Sequence, residues 1–328
     1  MKKKVSLVLF ILIYLICVAI MDYPFVARIH NEKVQAVAVL DYEERAEKLK
    51  QRECEAELLK AEEYNKMLST GMGQKLGDAF GKTEENNDEY ENVLNTTGDG
   101  IMGWIEIPAI QVTLPIYHGT SEKILLKGAG HLEGTSLPTG GVDTHTVISA
   151  HRGIPSKKMF TDLDQIGEGD VFYIHILQNV LAYQVTMVET VTPDDIEALA
   201  ISPGEELATL VTCTPYGMNT HRLYVHGKRI AYTEGLKHEQ EESGRRGFLR
   251  NYWWVILSAV MTVWMGILVS WYCRNEKKEI RRKGGRKRRH GKKKMVGKTN
   301  GRNTCSIYAP PVGSRNAGIG RRHGKVDI

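Results

Sequence analysis

Residues 208–213 read ATLVTC, residues 223–230 read LYVHGKRI, and the nine residues between them read TPYGMNTHR. The two outer runs are rich in β-branched and apolar residues, as strands are, whereas the Pro, Gly and Asn between them are typical of a turn. If the two strands pair antiparallel, the end of the first lies beside the start of the second. The segment therefore predicts a hairpin that brings Cys213 and Arg222 together at its loop end.

The same alternation of strand-like and turn residues extends upstream and predicts a mainly β domain. Short β-rich runs alternate with Gly, Pro and Asp, and seven or eight strands in about 130 residues favour one closed or sandwiched β core. Thr192 and Pro193 provide the cap and first position of a short helix over 196–200, and residues 121–128 favour another. The candidate strands are Gly103–Ile107, Gln111–Tyr117, Thr146–Ala150, Val171–Ile176, Leu181–Val191, Ala208–Cys213 and Leu223–Ile230.

Of the five cysteines, Cys213 alone falls in this β-rich part of the chain. An unpaired thiol in an exported domain is a candidate nucleophile, and it needs a proton partner near neutral pH, for which histidine is the usual choice. His151 is best placed, because it ends a predicted strand and Gly153 lets the chain turn away. Arg222 could hold a developing oxyanion or could be an ordinary surface charge. Six other histidines compete on spacing alone: His118, His131, His145, His175, His221 and His226.

Two apolar runs, 5–21 and 252–272, contain no charged residue. At about 1.5 Å per helical residue, the second run reaches across a hydrocarbon core of roughly 30 Å. Trp and Tyr at both of its ends suit the two headgroup interfaces. The first run is either an uncleaved anchor or a cleaved signal segment. We favour the anchor, because no clean Ala-x-Ala site follows the run before Tyr23 and Pro24.

Charge is divided unevenly between the ends of the chain. Residues 274–328 contain 19 Lys and Arg against 3 Asp and Glu, whereas residues 1–273 contain 25 against 36. Positive flanks stay on the cytoplasmic side, so we expect a multi-pass protein of the cell membrane with both termini cytoplasmic and the β domain extracytoplasmic. The basic tail has almost no aromatic residues for stacking on bases, so we expect contact with membrane lipid and no nucleic acid.

Composition divides the chain into eight predicted segments. They are a basic cytoplasmic start at 1–4, an anchor or signal segment at 5–21, a helical spacer at 22–68, a linker and lid loop at 69–100, the β domain at 101–232, a linker at 233–251, a transmembrane helix at 252–272, and a largely disordered basic tail at 273–328.

Several blocks of sequence, in this order, resemble the class C, pilus-assembling sortases of Gram-positive bacteria. The resemblance is dense from about residue 90 to 231, and the two flanking apolar runs and the spacer suit it as well. The blocks are GWIEIP at 103–108, PIYHGT at 115–120, GHLEGTSLP at 130–138, HRG at 151–153, TLVTC at 209–213 with Arg222, and TCTPYG at 212–217.

This resemblance implies an eight-stranded sortase β-barrel with short helices, and a membrane-anchored cysteine transpeptidase without an organic cofactor. Cys213, His151 and Arg222 would form its catalytic triad. Its partners would be pilin or surface-protein substrates with an LPxTG-like sorting signal, and an accepting pilin lysine. Other interpretations remain: a sortase that anchors proteins to cell-wall peptidoglycan, a cysteine hydrolase, or a non-catalytic membrane scaffold. No CxxC or HxxxH pair in the β domain indicates a zinc or other metal site.

Class C sortases often carry a lid with an Asp-Pro-aromatic motif over the catalytic cysteine. The corresponding stretch here is Asp78-Ala79-Phe80. Asp78 could pair with Arg222 and Phe80 could cover the thiol, but Ala79 lacks the fixed φ of proline. We therefore expect a lid that is held less firmly, and a plain flexible linker is the alternative. We also take Thr212, next to the cysteine, as a candidate substrate-binding or lid-contacting residue.

Overall fold

In a computed structural model, the described residues are 2–71, 76–81, 88–235, 237 and 253–296. Parts of the predicted linkers at 69–100 and 233–251, and the predicted tail beyond residue 296, lie outside them. The chain divides into two units, Met1–Val260 and Met261–Ile328. The first unit contains the whole β domain.

Eight strands close into a barrel in the order β1-β2-β3-β4-β7-β8-β6-β5. The pairs β2·β3 and β4·β7 are parallel, and the other six are antiparallel. The predicted fold class is confirmed. The strands are β1 (Ile101–Ile107), β2 (Val112–His118), β3 (Ala129–His131), β4 (Thr144–Ser149), β5 (Val171–Ile176), β6 (Asn179–Val191), β7 (Glu206–Thr214) and β8 (His221–Ile230).

Strand β3 is absent from the sequence-based prediction. It has only three residues, too few for a period-2 pattern to be recognised. A Cβ at Gly130 would lie 2.3 Å from the carbonyl oxygen of Gly119, so a glycine is needed for the close parallel approach of β3 to the end of β2. The expected helix at 196–200 is a short 3₁₀ helix, Glu197–Leu199, because the chain first turns through 192–195.

Two long helices precede the barrel: α1 (Lys2–Lys48) and α2 (Gln51–Ser69). The second half of α1 packs on β1 and β2, where the Tyr42 hydroxyl donates to the Met102 carbonyl at 2.8 Å and accepts from the Leu177 amide at 2.9 Å. Helix α2 adds apolar side chains to the barrel core. Two short helices follow, α3 (Asp88–Asn92) and α4 (Glu122–Leu125).

Among the residues that the structure describes, two helices are long and apolar enough to cross a membrane. One candidate span lies in α1, which runs without interruption from the predicted anchor through Pro24 into the predicted spacer. The other lies in α5 (Trp253–Val296), which continues beyond the predicted end of the span at residue 272. Together they agree with the predicted membrane anchoring.

Candidate active site

The hairpin of β7 and β8 places a thiol and a guanidinium side by side. The two strands pair antiparallel, and their register sets Cys213 opposite Arg222. Both side chains are nearly buried, with residue exposures of 7% and 6%. A charged group with so little access to water needs an oppositely charged partner. The partner of Arg222 comes from outside these two strands.

His151 reaches the same place from the neighbouring strand. Strand β4 runs parallel to β7 with Ser149 opposite Val211. The contact continues past the end of β4, because the Ala150 amide donates to the Val211 carbonyl at 3.2 Å and the Thr212 hydroxyl donates to the Ala150 carbonyl at 2.8 Å. Continued by two residues, this register sets His151 beside Cys213, on a strand spacing of about 4.8 Å.

The segment 76–81 lies over this site. The Asp78 carboxylate accepts two hydrogen bonds from Arg222, at 2.7 Å from Nε and 2.6 Å from Nη2. The Phe80 ring stacks on the guanidinium at 5.2 Å and lies 5.7 Å from the ring of His151. One three-residue stretch therefore contacts both basic residues of the site, and the bidentate ion pair is of the stronger kind.

Ala79, between these two residues, occupies an apolar depression on the outer face of the sheet. It is 2% exposed and packs in a cluster that we call the groove cluster. Cys213 and Val211 lie on the same face of β7, because side chains alternate along a strand. The depression therefore continues directly from the thiol. The groove cluster consists of Ala79, Leu132, Val147, Leu199, Val211 and Tyr224.

Burial sets the charge state of the site. Burial raises the pKa of Cys213; the nearby Arg222 opposes this rise and the Asp78 carboxylate adds to it. Burial also lowers the pKa of His151; Glu122 opposes this fall and Lys157 adds to it, both less strongly than burial. Both shifts favour uncharged forms near neutral pH. With segment 76–81 in place, the resting pair is mainly a neutral thiol and a neutral imidazole.

The competing histidines are engaged elsewhere. His175 stacks on Trp104 at 3.5 Å, and His221 is exposed and contacts Thr220. The other four make hydrogen bonds within the barrel or to the chain just before it. They are His118, His131, His145 and His226.

Two further side chains connect the strands at the site. Thr212 is fully buried and its hydroxyl is occupied by Ala150, so it joins β7 to the chain just before His151. Arg152, to which the sequence analysis gave no role, contacts Thr214 at 3.3 Å and Asp164 at 2.5 Å. The hint in the sequence was that Arg152 directly follows His151. Its two partners lie 62 and 12 residues away along the chain, so no local pattern indicates them.

A family model described as the sortase domain matches residues 105–230, which cover the barrel from β1 to β8. Sortase A of Streptococcus agalactiae is 32% identical over 39% of this chain and 52% of its own length. Sortase A of Bacillus anthracis is 24% identical over 70% of this chain and 96% of its own. This chain thus spans about half the length of the first of these relatives.

Sequence identity is higher with the solved structures than with these two relatives. Streptococcus pneumoniae sortase C, described with respect to catalysis and pilin substrate specificity, is 46% identical, with a TM-score of 0.56 over 60% of this chain and 97% of its own. Streptococcus agalactiae sortase C1 is 43% identical, with a TM-score of 0.55 over 60% and 99%. These two curated relatives carry the sortase A name and the two structures the sortase C name. The structures support the class C assignment, because their identity with this chain is higher, at 46% and 43% against 32% and 24%.

Proposed function

This chain belongs to the sortase family of cysteine transpeptidases, and from that premise we propose that it polymerises pili. It would cleave an LPxTG-like sorting signal and join the acyl part to a lysine of another pilin subunit. The observation that carries the proposal is the convergence of Cys213, Arg222 and His151 from three adjacent strand ends at one face. Identity of 40% to 46% with sortases C supports the pilus-related form of the reaction.

In the first half of the reaction, the Cys213 sulfur attacks the carbonyl carbon between Thr and Gly of the signal. The thiol proton passes to His151, and Arg222 donates hydrogen bonds to the carbonyl oxygen as it gains negative charge. When the carbon–nitrogen bond breaks, His151 returns the proton to the leaving amine. The product is a thioester on Cys213 and a free fragment that begins with Gly.

In the second half, the side-chain amine of a pilin lysine attacks the thioester. His151 accepts a proton from the attacking amine, the carbon–sulfur bond breaks, and the thiolate of Cys213 is regenerated and reprotonated. The new bond is an isopeptide bond between two subunits. The energy of the original peptide bond is conserved in the thioester, so the protein supplies the nucleophile Cys213, positioning, charge and proton transfer, and no further energy source is needed.

Segment 76–81 acts as a lid in this proposal. A carboxylate on Arg222 occupies the guanidinium that the signal's carbonyl oxygen would need, and Ala79 fills the depression next to the thiol. The sorting signal can bind only after the Asp78–Arg222 ion pair and the packing of Ala79 are both broken. The resting enzyme is therefore shielded, and the affinity of the lid for its own site subtracts from the affinity for substrate.

The two candidate spans fit a substrate that is itself held at a membrane. We propose that they anchor the chain with the barrel outside and both termini inside, as the basic tail indicates. Helix α1 packs against the barrel soon after its apolar stretch, where Asn31 donates to the Ser156 carbonyl at 2.9 Å. This contact holds the loop that follows His151 close to the membrane-proximal part of α1.

Intact mass spectrometry of the full chain in detergent tests the proposal. The chain is incubated with an LPxTG-type peptide, with and without a pilin fragment that carries a lysine. We expect a mass increase on Cys213 that is discharged to the fragment when the fragment is present. Cys213→Ala should give no adduct, and His151→Ala and Arg222→Ala should lose transfer. Arg229→Ala, on the same strand and paired with Glu206, is the matched control for Arg222.

The alternatives give different products. Transfer to a peptidoglycan-type amine in preference to the pilin lysine would favour a sortase that anchors proteins to the cell wall. Discharge to water alone would indicate a hydrolase. If Asp78→Ala, with the lid contact removed, forms no adduct either, the transpeptidase proposal fails and a membrane scaffold remains.

A further inference from the structure

At the end of the groove distant from Cys213, four side chains from four strands form one chain of hydrogen bonds. His145 Nδ1 is 2.8 Å from the Ala200 carbonyl oxygen, and its Nε2 is 2.7 Å from the Thr209 hydroxyl. That hydroxyl is 2.8 Å from His226 Nδ1, and His226 Nε2 is 3.0 Å from the Glu189 carboxylate. His145, Thr209 and His226 are all buried, so a missing bond among them would be costly.

The position of each proton follows from the end of this chain. A carbonyl oxygen only accepts, so His145 carries a proton on Nδ1. Burial lowers the pKa of His145 to about 4, so the ring is neutral near neutral pH and its Nε2 must accept from the Thr209 hydroxyl. The Thr209 hydroxyl donates its only proton to His145, so it must accept a hydrogen bond from His226 Nδ1.

At the last contact, His226 with a proton on Nδ1 alone would direct a lone pair at a carboxylate oxygen. The 3.0 Å contact therefore needs one more proton, held between His226 Nε2 and Glu189. The other groups that face His226 are the Thr209 hydroxyl from β7 and the edge of the Tyr224 ring at 5.8 Å. Neither can supply that proton, because the hydroxyl proton is used and the phenol hydroxyl donates to the Asp195 carbonyl.

This run of hydrogen bonds supports one wall of the groove beside the groove cluster. Thr209 lies on the same face of β7 as Val211 and Cys213, about 13 Å from the thiol at about 3.3 Å per residue. The leucine of an extended LPxTG-like signal lies three residues before the threonine, about 10 Å from the thiol by the same measure. It would therefore reach the depression that contains Leu199. The carbonyl that His145 holds belongs to Ala200, the next residue.

We propose that His145 is a positioning residue that holds the Leu199–Ala200 wall for the signal's apolar side chain, directed by a proton shared between His226 and Glu189. The inference rests on the proposed function. If the shared proton is lost, one contact must fail. Either His226 opposes Glu189 with a lone pair, or it turns its remaining proton to Glu189, takes the hydroxyl proton of Thr209 and leaves His145 Nε2 without a donor. In the second arrangement the His145 ring loses the donor that orients it, so its hold on the Ala200 carbonyl weakens.

The first test places the protons directly. The full chain, labelled with ¹⁵N in its 11 histidines and held in detergent, is measured near neutral pH by long-range ¹H–¹⁵N correlation. His145→Gln and His226→Gln assign the two signals. We expect His226 protonated on both nitrogens and His145 on Nδ1 alone. In Glu189→Gln the side-chain amide can donate to Nε2, so His226 should become neutral with its proton on Nδ1. A neutral His226 in the parent would overturn the shared proton.

The second test separates positioning from general stability. In an Asp78→Ala background, which removes the lid contact, His145→Phe should raise KM for the signal peptide about tenfold, the worth of one buried hydrogen bond, with little change in kcat. His145→Asn should restore KM, because its amide can donate to Ala200. Should His145→Phe fail to fold, His145→Asn and Glu189→Gln still carry the test.

The third readout is KM in Glu189→Gln. It should stay near that of the parent, because the amide can donate to His226 Nε2 and leaves the contacts of Thr209 and His145 in place. The matched control is Glu205→Gln, which removes an exposed carboxylate paired with Lys228 at 2.8 Å and should also keep the parent's KM. An unchanged KM in His145→Phe, or equal loss in kcat, would overturn the positioning role. Absence of acyl-enzyme in the parent would overturn the proposed function and this role together, whereas the NMR result stands apart from catalysis.

Discussion

The two ends of one face of β7 and β8 hold their polar side chains in opposite ways. At the hairpin end, Arg222 is paired with Asp78, which comes from a segment outside the barrel strands. At the other end, Thr209 and His226 are paired with side chains of neighbouring strands. The first contact joins the barrel to a segment outside its strands, whereas the second joins neighbouring strands of the barrel itself. A removable ion pair suits a site that must open, and a fixed network suits a wall that must stay.

The largest expected effect is at the removable end. Arg222→Lys should lower the rate of acyl-enzyme formation about 100-fold, because an ammonium cannot make the two parallel hydrogen bonds of a guanidinium. Quenched-flow mass spectrometry with the signal peptide measures it. Arg229→Lys, on the same strand, should change the rate less than about twofold, since its partly exposed ion pair is of the weak kind. Equal rates in the parent and Arg222→Lys would exclude Arg222 from the reaction.

The fixed end should respond to acid. Burial lowers the pKa of His145 from 6.5 to about 4, so the unfolded chain binds a proton more readily than the folded one. The stability associated with a neutral His145 is present above pH 6.5 and is lost as pH falls toward 4, by about 3 kcal/mol at 1.36 kcal/mol per pH unit. Urea unfolding at several pH values should show a shallower acid loss in His145→Gln. An identical slope in both proteins would contradict this assignment.

Loss of the lid contact should make Cys213 more reactive. Asp78→Asn removes a carboxylate that raises the pKa of the Cys213 thiol, so that pKa falls and the alkaline rise in alkylation shifts to lower pH. We expect iodoacetamide to label Cys213 several-fold faster near neutral pH, because more of the thiol is then ionised. Phe80→Ala should also accelerate labelling. Peptide mapping distinguishes Cys213 from the other four cysteines. Unchanged rates in both variants would show that 76–81 is not a lid.

A smaller effect is expected at Thr212, which lies between the two ends. Thr212→Val keeps the shape of the side chain but removes the donor to Ala150, so it should destabilise the chain by about 1 kcal/mol. KM for the signal peptide should stay near that of the parent, because the hydroxyl is turned to β4. Thr144→Val, which removes a similar bond at the other end of β4, is the control. A KM increase confined to Thr212→Val would support direct substrate contact.

The smallest expected effect comes from stabilising segment 76–81 on the hairpin end. Ala79→Pro restores the residue that class C lids often carry and restricts φ before binding. Labelling of Cys213 should slow by about threefold, in line with the usual gain from such a substitution. Faster labelling would show that proline does not fit the conformation at Ala79, and that the alanine is required by its packing in the groove cluster.

Sequence periodicity predicted most strands of the barrel and missed those that depend on distant neighbours. The β7–β8 hairpin is a local structure, so composition and turn residues located it, and pairing of its ends followed. Strand β3 exists only because β2 and β4 lie on either side of it, and three residues carry no period of their own. The role of Arg152 was invisible for the same reason, since its partners are far along the chain.

By itself, the sequence determined which residues could do chemistry: a lone thiol in a β domain, a histidine at a strand end, an arginine across a turn, and two apolar runs long enough to span a membrane. These follow from residue type and short spacing. Only the tertiary structure gave the six competing histidines their partners, placed Asp78 on Arg222, and aligned His145, Thr209 and His226 into one directed chain of hydrogen bonds. Burial and hydrogen-bond direction depend on the closure of the barrel, which joins residues that no local pattern connects.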